Sequence, residues 1–434
     1  MKVTDLRDGL GLLAEARARA AELEARLQAL VELASPTSDP VATTGACALA
    51  AAPFEAIGFV GGLVGGCAEG RGATRNSLAK SAQRLPAENH LVLQRSGEGH
   101  GGDHRPRVLF LGHVDTVHEH ASGFAGYILD GPFARGPGVA DAKGGVVVMQ
   151  AALELLHDVG ALDLIDARVV LTSDEEEGAA TSHELLAEAA RGLDLCLGFE
   201  PARPDGSIVR ARRGLGRFKV TALGRAAHAG QAHHEGRSAI HALALAVPRI
   251  EAMTDYASGV TVSVGRIAGG TRTNVVPERA DLWIDARADD DTGARRIRDA
   301  LFALDGWSPL AGTELRVRGD FSCAPWPANP ETEGLVALWQ SASEALGLGP
   351  LAAVASGGAS DANQIYALSI PTLDGLGAVG GDYHSPREWV ARASLAERAA
   401  LTATALVAWV SARGLSARDP DLHATKETID ALDP

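Results

Sequence analysis

The chain has 434 residues, of which 46% are hydrophobic and 22% are charged, and its formal net charge is −15. This length and composition predict a soluble globular protein with two domains, or with one large domain that carries an insertion. The negative charge argues against nucleic acids and anionic membranes as partners, because binding them draws on clustered Lys and Arg.

The first 30 residues carry Asp and Glu throughout, which argues against a secretory signal and predicts an amphipathic helix. The weakly charged stretch 47–68 contains Glu55, a Pro and five Gly, so its glycines are interpreted as turn and strand residues and no membrane span is expected. The cysteines are scattered without a CxxC pair, which predicts reduced thiols in a cytoplasmic protein. They are Cys47, Cys67, Cys196 and Cys323.

Apolar strand-like runs alternate with helical patterns through the first half of the chain. Strands are predicted at 107–113, 167–173 and 195–200, and a helix is predicted at about 144–159. This order is typical of an α/β fold whose sheet is buried on both faces.

The pattern changes at about Gly214, where the strands begin to alternate polar and apolar residues. Helices are predicted near 236–254 and 292–304 between these strands. One-sided antiparallel sheets show this alternation, so a small α+β insertion is expected. The α/β pattern then resumes and ends in a helix near 393–413. The predicted division is first part of the α/β domain, inserted domain, second part of the α/β domain and loose tail, at 1–212, 213–325, 326–415 and 416–434.

Side chains that bind metals collect where the predicted strands end, which is the edge at which α/β folds build their sites. A single His or Asp at a strand end is usually a cap, but several coincident strand ends are harder to explain in that way. A pair of divalent cations would supply the positive charge that the crowded carboxylates of 174–177 need, and His with carboxylates suits zinc. The residues are His113, Asp115, Asp141, Glu175, Glu176 and Glu200.

Seven motifs occur in an order and spacing that resemble the zinc aminoacylase and carboxypeptidase family, most closely its glutamate carboxypeptidase branch. The resemblance runs from about residue 35 to 412. It implies a catalytic three-layer α/β domain with a mainly parallel sheet, an inserted α+β dimerisation (lid) domain, and a homodimer. The motifs are HVDTV, ARGPGVADAKGG, TSDEEEG, GFEPA, AAHAG, NVVP and GDYHS.

The resemblance implies two zinc ions per subunit, which cobalt or manganese could replace. Asp141 would bridge them, with His113 and Glu200 completing one site and Glu176 and His384 completing the other. Asp115 would accept the imidazole proton of the ligand His. The peptide bond after Asp141 is expected to be cis.

The resemblance makes Glu175 the general base and Glu176 a metal ligand. Consecutive residues of an extended segment point in opposite directions, so one carboxylate would face the metals and the other the bound water. Asp174 and Glu177 remain as cap or surface residues. Glu177 is also acidic, so a register one residue later stays open, although Gly178 favours the first assignment.

His228 matches the family histidine that reaches across the dimer to stabilise the oxyanion of the tetrahedral intermediate. Asn274 and Arg287 match substrate contacts, and Gly357 and Gly358 match the glycine turn beside the substrate. The remaining loop histidines are interpreted as surface residues without a role. They are His118, His120, His233 and His234.

The segment FSCAPWPAN, with Cys323 and Ala324, lacks the Arg that the glutamate carboxypeptidase branch tends to carry there. A glutamate specificity therefore does not follow, although Arg287 could still hold a carboxylate. The function predicted is hydrolysis of an amide or peptide bond next to an amino-acid carboxylate, in a small-molecule substrate, by a water molecule held at the metals. The alternatives are an N-acyl or N-carbamoyl amino acid amidohydrolase and, more remotely, a non-catalytic scaffold.

The insertion is also predicted to assemble the homodimer. Its strand GVTVSVGRI would supply an edge, and pairing two such edges would carry His228 away from the metals of its own chain. The helix near 236–254 is expected to turn its apolar side chains toward the sheet. These are Ile240, Leu243, Leu245, Val247 and Ile250.

Overall fold

The computed structural model describes residues 9–66, 89–97 and 105–413. Cys67 and the predicted tail 416–434 lie outside these ranges. The helices are α1 (Gly9–Ala18), α2 (Ala20–Glu32), α3 (Pro40–Ala56), α4 (Lys143–Asp158), α5 (His183–Ala189), α6 (Ala239–Glu251), α7 (Asp291–Phe302), α8 (Pro330–Ala345), α9 (Asp361–Tyr366) and α10 (Ser394–Ser411). The strands are β1 (Val60–Gly65), β2 (Asn89–Arg95), β3 (Arg107–His113), β4 (Ile128–Asp130), β5 (Phe133–Arg135), β6 (Asp166–Thr172), β7 (Leu195–Gly198), β8 (Ile208–Arg212), β9 (Gly214–Leu223), β10 (Ala227–His228), β11 (Val260–Gly269), β12 (Val275–Val276), β13 (Arg279–Ala288), β14 (Glu314–Cys323), β15 (Ala353–Ser356), β16 (Thr372–Leu373), β17 (Gly380–Gly381) and β18 (Trp389–Ala391).

The central sheet has the strand order β1-β2-β6-β3-β7-β16. Strands β6, β3, β7 and β16 run parallel, whereas β1 and β2 add an antiparallel edge. Strand β3 is apolar on both sides: Val108 and Phe110 enter one hydrophobic core, and Leu109 and Leu111 enter another on the opposite face. The prediction of a largely parallel sheet buried on both faces is confirmed.

Helices cover both faces of this sheet and complete three layers. Helix α4 packs against β3 and is covered in turn by α10, so nearly all of its side chains are buried. On the other face, α5 packs against β6 and α9 packs against β3 and β7. The predicted amphipathic N-terminal helix is two helices, α1 and α2, separated by Arg19, whose guanidinium pairs with Glu15 and Asp158.

The inserted unit is an antiparallel sheet of order β11-β13-β9-β14 with α6 and α7 on one face. The predicted inward face of α6 is partly wrong. Leu243 and Ile250, seven residues apart and therefore on one helical face, are buried, but Ile240 and Leu245 are 42% and 45% exposed. They project from the other side of the helix and remain available for contact with another molecule.

The chain enters and leaves the inserted unit at adjacent points. The backbone N–H of Arg212 donates to the carbonyl of Trp326 (2.8 Å), and the N–H of Trp326 donates back to the carbonyl of Arg212 (2.9 Å). The two crossings lie so close that a Cβ on Gly214 would stand 2.8 Å from the ring of Pro325. Trp326 is fully buried and stacks on Tyr366, which fixes this junction to the part of the chain that carries the central sheet.

Within the described residues, none of the helices combines the length and apolar character needed to cross a bilayer. The glycine-rich stretch after α3 forms strand β1, so Gly61, Gly62 and Gly65 are strand glycines, as predicted.

Candidate metal centre and active site

The site is assembled at the carboxyl ends of the central strands. His113 is the last residue of β3, Glu175 and Glu176 follow β6, and Glu200 follows β7. Asp141 lies in the glycine-rich loop that leads into α4. His384 follows β17, in a small sheet of order β17-β18-β5-β4. The carboxyl ends of parallel strands lie at the same edge of the sheet, so residues distant in sequence meet there.

Asp141 lies between two histidines. Its Oδ1 is 3.3 Å from His113 Nε2, and its Oδ2 is 3.3 Å from His384 Nε2. Glu200 Oε1 is 3.5 Å from the same nitrogen of His113, and Glu176 Oε2 is 3.2 Å from that of His384. The side chains therefore form two groups of three that share one carboxylate.

These separations fit a cation in each group. Donors placed tetrahedrally at about 2.1 Å from one zinc ion stand about 3.4 Å apart, close to the spacing of the nitrogen and oxygen atoms described above. Ligand atoms of His113, Asp141 and Glu176 all lie within 4.8 Å of one another. The cluster is a candidate metal site, and the peptide bond between Asp141 and Ala142 is cis, as predicted.

Electrostatics also indicates that the cluster requires a positive partner. Burial raises the pKa of Glu200 to about 8. Hydrogen bonds that the imidazole of His384 donates to Asp141 and Glu176 raise its pKa to about 10. Burial would raise the pKa of Asp141 as well, but its contacts with the two histidines outweigh burial and hold that pKa well below its usual range. Divalent cations would replace the protons that otherwise balance these carboxylates.

Asp115 is fully buried behind the cluster. His113 Nδ1 is 3.1 Å from its carbonyl oxygen and 3.3 Å from its Oδ1, which suits a group that orients the ring. The same carboxylate accepts the backbone N–H groups of Glu175 (3.3 Å) and Glu176 (3.1 Å) and the hydroxyl of Thr37 (2.8 Å). Asp115 thus ties the imidazole to the turn that carries both glutamates.

The segment Glu175–Glu177 is a 3₁₀ turn, so the prediction of an extended segment is wrong. Successive side chains of such a turn still diverge, by about 120°. Glu176 contacts His384, Glu175 faces the cavity beside the cluster of candidate metal ligands, and Glu177 is exposed. Burial, reinforced by the charge of Glu200, raises the pKa of Glu175 well above its ordinary value.

Asp174 was predicted as a cap or surface residue; it is buried, so the surface alternative is wrong, whereas its carboxylate does cap backbone N–H groups. Its Oδ2 accepts the backbone N–H groups of Thr181 (2.6 Å) and Ser182 (3.1 Å). The carboxylate is needed inside because it closes the loop that carries the 3₁₀ turn back onto the start of α5.

A cavity of about 420 Å³ adjoins the cluster, a size that suits a dipeptide or an acylated amino acid. Arg287 lines it from β13, but its Nε and Nη2 donate to Asp285 (2.8 and 3.0 Å). Gly358 also lines the cavity, and Gly357 precedes it in an exposed turn. The charged side chains on the walls are those of Asp141, Glu175, Glu176, Glu200, Arg203, Arg212, Arg217, Arg287, Asp361 and His384.

His228 and Asn274 do not line this cavity within one chain. Both are exposed: His228 is the last residue of β10 and Asn274 directly precedes β12, its partner strand. The N–H of Ala229 donates to the carbonyl of Asn274 (3.0 Å). His228 Nδ1 accepts the N–H groups of Gly230 (3.1 Å) and Gln231 (3.2 Å). This arrangement places the proton of the neutral ring on Nε2, which is then free to donate outward.

Sequence reasoning missed Glu388, which is 1% exposed. Its carboxylate accepts the backbone N–H groups of Gly138 (3.1 Å), Ala140 (2.9 Å) and Asp141 (3.0 Å). His118 Nε2 lies 3.1 Å from it and is buried, so the prediction of a surface histidine is wrong there. Only the fold brings 118 and 388 together, whereas the other three loop histidines are exposed, as predicted.

A buried ion pair that sequence reasoning also missed supports Glu200. Arg212 Nε donates to Asp374 Oδ2 (2.8 Å), which also accepts the hydroxyl of Ser360 (2.8 Å), while the N–H of Glu200 donates to Asp374 Oδ1 (3.4 Å). Beside this pair, burial and the charge of Asp174 raise the pKa of Asp361 to about 7.

Residues 109–408 match peptidase family M20/M25/M40. The chain belongs to this family. It is 29% identical to carboxypeptidase G2 of Pseudomonas sp. (strain RS-16) over 67% of this chain and 70% of the relative. It is 31% identical to a succinyl-diaminopimelate desuccinylase of Methylobacterium radiotolerans over 71% of this chain and 82% of the relative.

Among solved structures, a tripeptidase from Staphylococcus aureus shares the fold with a TM-score of 0.70 at 22% identity, over 90% of this chain and 98% of the other. The predicted resemblance is confirmed. The chain is a metal-dependent hydrolase of amide or peptide bonds.

Proposed function

We propose that the protein is a dinuclear zinc hydrolase that cleaves an amide or peptide bond next to an amino-acid carboxylate. The observation that carries this proposal is Asp141, whose two oxygens each contact a different histidine in a different group of three donors. His113 and Glu200 would hold one ion, and Glu176 and His384 the other. Bound in this way, the ions supply polarisation of the substrate carbonyl and acidification of water.

Glu175 is the proposed general base. It faces the cavity without contacting either histidine, and burial gives its carboxylate a raised pKa, so it accepts a proton more readily than an exposed glutamate. Its Oε would take the proton of the attacking water and then deliver it to the leaving nitrogen. Asp115 holds the backbone of Glu175 and thereby positions this carboxylate.

The substrate contacts are proposed to come from both parts of the chain. Arg287 would release Asp285 to hold the substrate carboxylate, with the turn of Gly357 and Gly358 beside it. His228 of the second subunit would donate from Nε2 to the carbonyl oxygen as negative charge develops, with Asn274 nearby. The exposure of His228 on an insertion proposed to span 213–325 supports a homodimer.

A second substrate class has a specific observation behind it. The relative with 31% identity is named for removing a succinyl group, which makes an N-acyl or N-carbamoyl amino acid a candidate beside a dipeptide. The residues assigned above serve either substrate, because both present an amide carbonyl and a carboxylate. We place the enzyme in the cytoplasm, where the buried free thiols of Cys47, Cys196 and Cys323 would stay reduced.

A substrate screen tests the proposal. Dipeptides, N-acyl amino acids and N-carbamoyl amino acids are incubated with protein loaded with zinc, cobalt or manganese, and with chelated protein. We expect release of a free amino acid that chelator abolishes and zinc restores, with elemental analysis giving about two ions per chain. An active preparation without transition metal would contradict the proposal.

A further inference from the structure

Arg398 is a buried arginine that the mechanism above does not use. It lies in α10 and is 5% exposed. Its three nitrogens all donate to backbone carbonyls: Nε to Gly377 (3.2 Å), Nη1 to Gly206 (3.1 Å) and Nη2 to Gly375 (2.7 Å). It forms no ion pair with any carboxylate in the part of the chain that the structure describes. Burial lowers the pKa of its guanidinium to about 10, so it remains charged at neutral pH.

A buried cation without a carboxylate partner is costly to retain. The other buried side chains of α10 are mostly apolar, so packing alone does not require a charge at this position. Hydrogen bonds from a charged donor are strong, and the planar guanidinium fixes the directions of several bonds at once. Arg398 therefore holds carbonyl oxygens of two separate loops in one arrangement.

One of these loops, 374–377, follows β16 and also contacts Glu200. The N–H of Gly377 donates to the carbonyl of Glu200 (2.9 Å), and Asp374 Oδ1 accepts the N–H of Glu200 (3.4 Å). A Cβ on Gly377 would lie 2.7 Å from the same carbonyl oxygen of Glu200, so the two backbones are in direct contact. The loop 374–377 thus connects Arg398 to both backbone groups of Glu200.

The two proposed metal sites differ in this support. We call them the Glu200 site and the Glu176 site, after the glutamate that each contains. The N–H of Glu176 donates to Asp115 (3.1 Å), and β17, which precedes His384, pairs with β18. Neither of these contacts involves the loop 374–377.

We propose that Arg398 positions Glu200 for metal binding, so that the affinity of the Glu200 site depends on Arg398 and that of the Glu176 site does not. This inference rests on the proposed function, because it assumes an ion at each site. Without Arg398, the carbonyls of Gly375 and Gly377 would lose their charged donor, and the loop would no longer hold Glu200 in one position. Residues that orient ligands typically change metal affinity about 10- to 100-fold.

The test measures the metal affinity of each site separately. Zinc is withdrawn from the loaded protein with a graded series of chelators, and Glu200→Ala and Glu176→Ala identify which release step belongs to which site. Arg398→Met should weaken binding about 10- to 100-fold in the Glu200 step alone. Arg398→Lys keeps the charge but not the planar fork, so it should weaken that step less. Equal weakening of both steps, or of neither, would overturn the proposal.

Arg168→Met is the matched control. Arg168 is a half-buried arginine of β6 that also donates to a backbone carbonyl, that of Ala189, and it is not on the cavity wall. The control variant should leave both release steps unchanged. If it shifted the Glu200 step as much as Arg398→Met does, the effect would reflect a general loss of stability and the proposal would fail.

Hydrogen exchange in the metal-free protein separates this proposal from the proposed function. The N–H groups of Leu376 and Gly377 are bonded to the carbonyls of Gly198 (3.1 Å) and Glu200 (2.9 Å). In Arg398→Met, a peptide that contains 374–377 should exchange about tenfold faster than in the wild type, whereas in Arg168→Met it should not. Arg398→Lys makes the same comparison if Arg398→Met does not fold. A wild type that binds no metal would reject the proposed function, and unchanged exchange would overturn the role of Arg398.

Discussion

Glu175 and Glu176 are adjacent in sequence, yet their side chains have different surroundings. Glu176 Oε2 lies 3.2 Å from His384 Nε2, whereas Glu175 faces the cavity. The 3₁₀ turn separates the two carboxylates, and Asp115 fixes the turn through both backbone N–H groups. Identical side chains therefore acquire different tasks from the turn that carries them.

This difference predicts opposite effects for two substitutions. Glu175→Gln should lower turnover by about 100- to 10,000-fold, the usual contribution of a general base, while metal content stays near that of the wild type. Glu176→Ala should lose metal from one of the two sites. Activity assays with elemental analysis of the same samples distinguish the roles, and an active Glu175→Gln variant would reject the assignment.

Glu388 predicts a second effect, on metal affinity rather than on proton transfer. Both of its oxygens accept backbone N–H groups of the loop that ends in Asp141. In Glu388→Gln, an NH₂ group must face one of these donors, which costs about 1–3 kcal/mol for the unsatisfied group.

We expect Glu388→Gln to lower the melting temperature and to weaken metal binding about 10- to 100-fold, as for other residues that support ligands. Chelator competition and thermal melting measure the two effects. Glu397→Gln is the control, since Glu397 makes a surface pair with Arg17 (2.8 Å). Equal metal affinity in both variants would contradict the role given to Glu388.

Residues at the ends of strands were predictable, as was the neighbouring support Asp115, whereas supporting residues far away in sequence were not. His113 and Glu200 come directly after apolar runs, so a local pattern marks them. Glu388 and Asp374 contact Asp141 and Glu200 from 247 and 174 residues away, and no spacing rule connects such positions. Their surroundings in sequence resemble ordinary polar loops, and only the packed fold shows what they contact.

At the scale of elements, the start of α4 is fixed by a close approach. A Cβ on Gly145 would lie 1.8 Å from the carbonyl oxygen of Phe199, so the helix can touch the end of β7 only without a side chain there. Gly145→Ala should push the helix away from the metal loop and destabilise the fold by several kcal/mol, as overpacking of rigid backbone does.

Gly334→Ala is the matched helical control. Gly334 is exposed in α8, and a Cβ there would meet nothing within 4 Å. It should stabilise the protein by about 0.5–1 kcal/mol through better helix propensity. Urea unfolding measures the change in free energy of unfolding for both variants. If Gly145→Ala left that free energy unchanged, the approach of Gly145 to the carbonyl oxygen of Phe199 would not be tight.

Helices α3, α5, α8 and α9 were not predicted. The helices and strands that were predicted followed from periodicity, because buried runs and one-sided alternation are local signals. The faces of α6 did not, since a helix rich in Ala and Leu offers more than one apolar stripe. Ile240 and Leu245 lie away from the sheet for this reason. The turn at Glu175–Glu177 was misread because three acidic residues give no conformational signal.

At the scale of the whole molecule, the exposed insertion predicts shared active sites. Ile240, Leu245 and Ile267 are exposed on it, and β11 is an edge strand of its sheet. Mixing inactive His228→Ala and Glu175→Gln proteins under subunit exchange should restore activity, because a mixed dimer can place both lesions in one site and leave the other intact. No recovery after demonstrated exchange would show that His228 acts within its own chain.

Metal removal should expose the charge imbalance of the cluster. Without cations, the pKa of Glu200 in the folded protein is about 8, which is above that of an unfolded carboxyl. The free energy of unfolding therefore falls as pH rises toward 8, because the buried carboxyl resists ionisation. The pKa of His384 is raised to about 10, so its stabilising contacts are complete below the unfolded value and lost as pH rises toward 10. Both groups therefore make the metal-free protein less stable as pH rises.

The chelated protein should therefore melt at a lower temperature at about pH 9 than at about pH 6. The gain from added zinc should be larger at the higher pH, because protons compete with the metal for these groups. Thermal melting with and without zinc at both pH values tests this prediction. A smaller zinc-induced rise in melting temperature at the higher pH would contradict it.

The paired crossings at Arg212 and Trp326 have a mechanical consequence. Two backbone hydrogen bonds join the entering and leaving segments, so the two crossings are constrained to move together. Every proposed metal ligand lies in the part of the chain outside these crossings, whereas His228 and Arg287 lie in the insertion between them. A rigid-body movement of the insertion would therefore carry the proposed substrate contacts toward or away from the proposed metal ligands, while the ligands keep their arrangement.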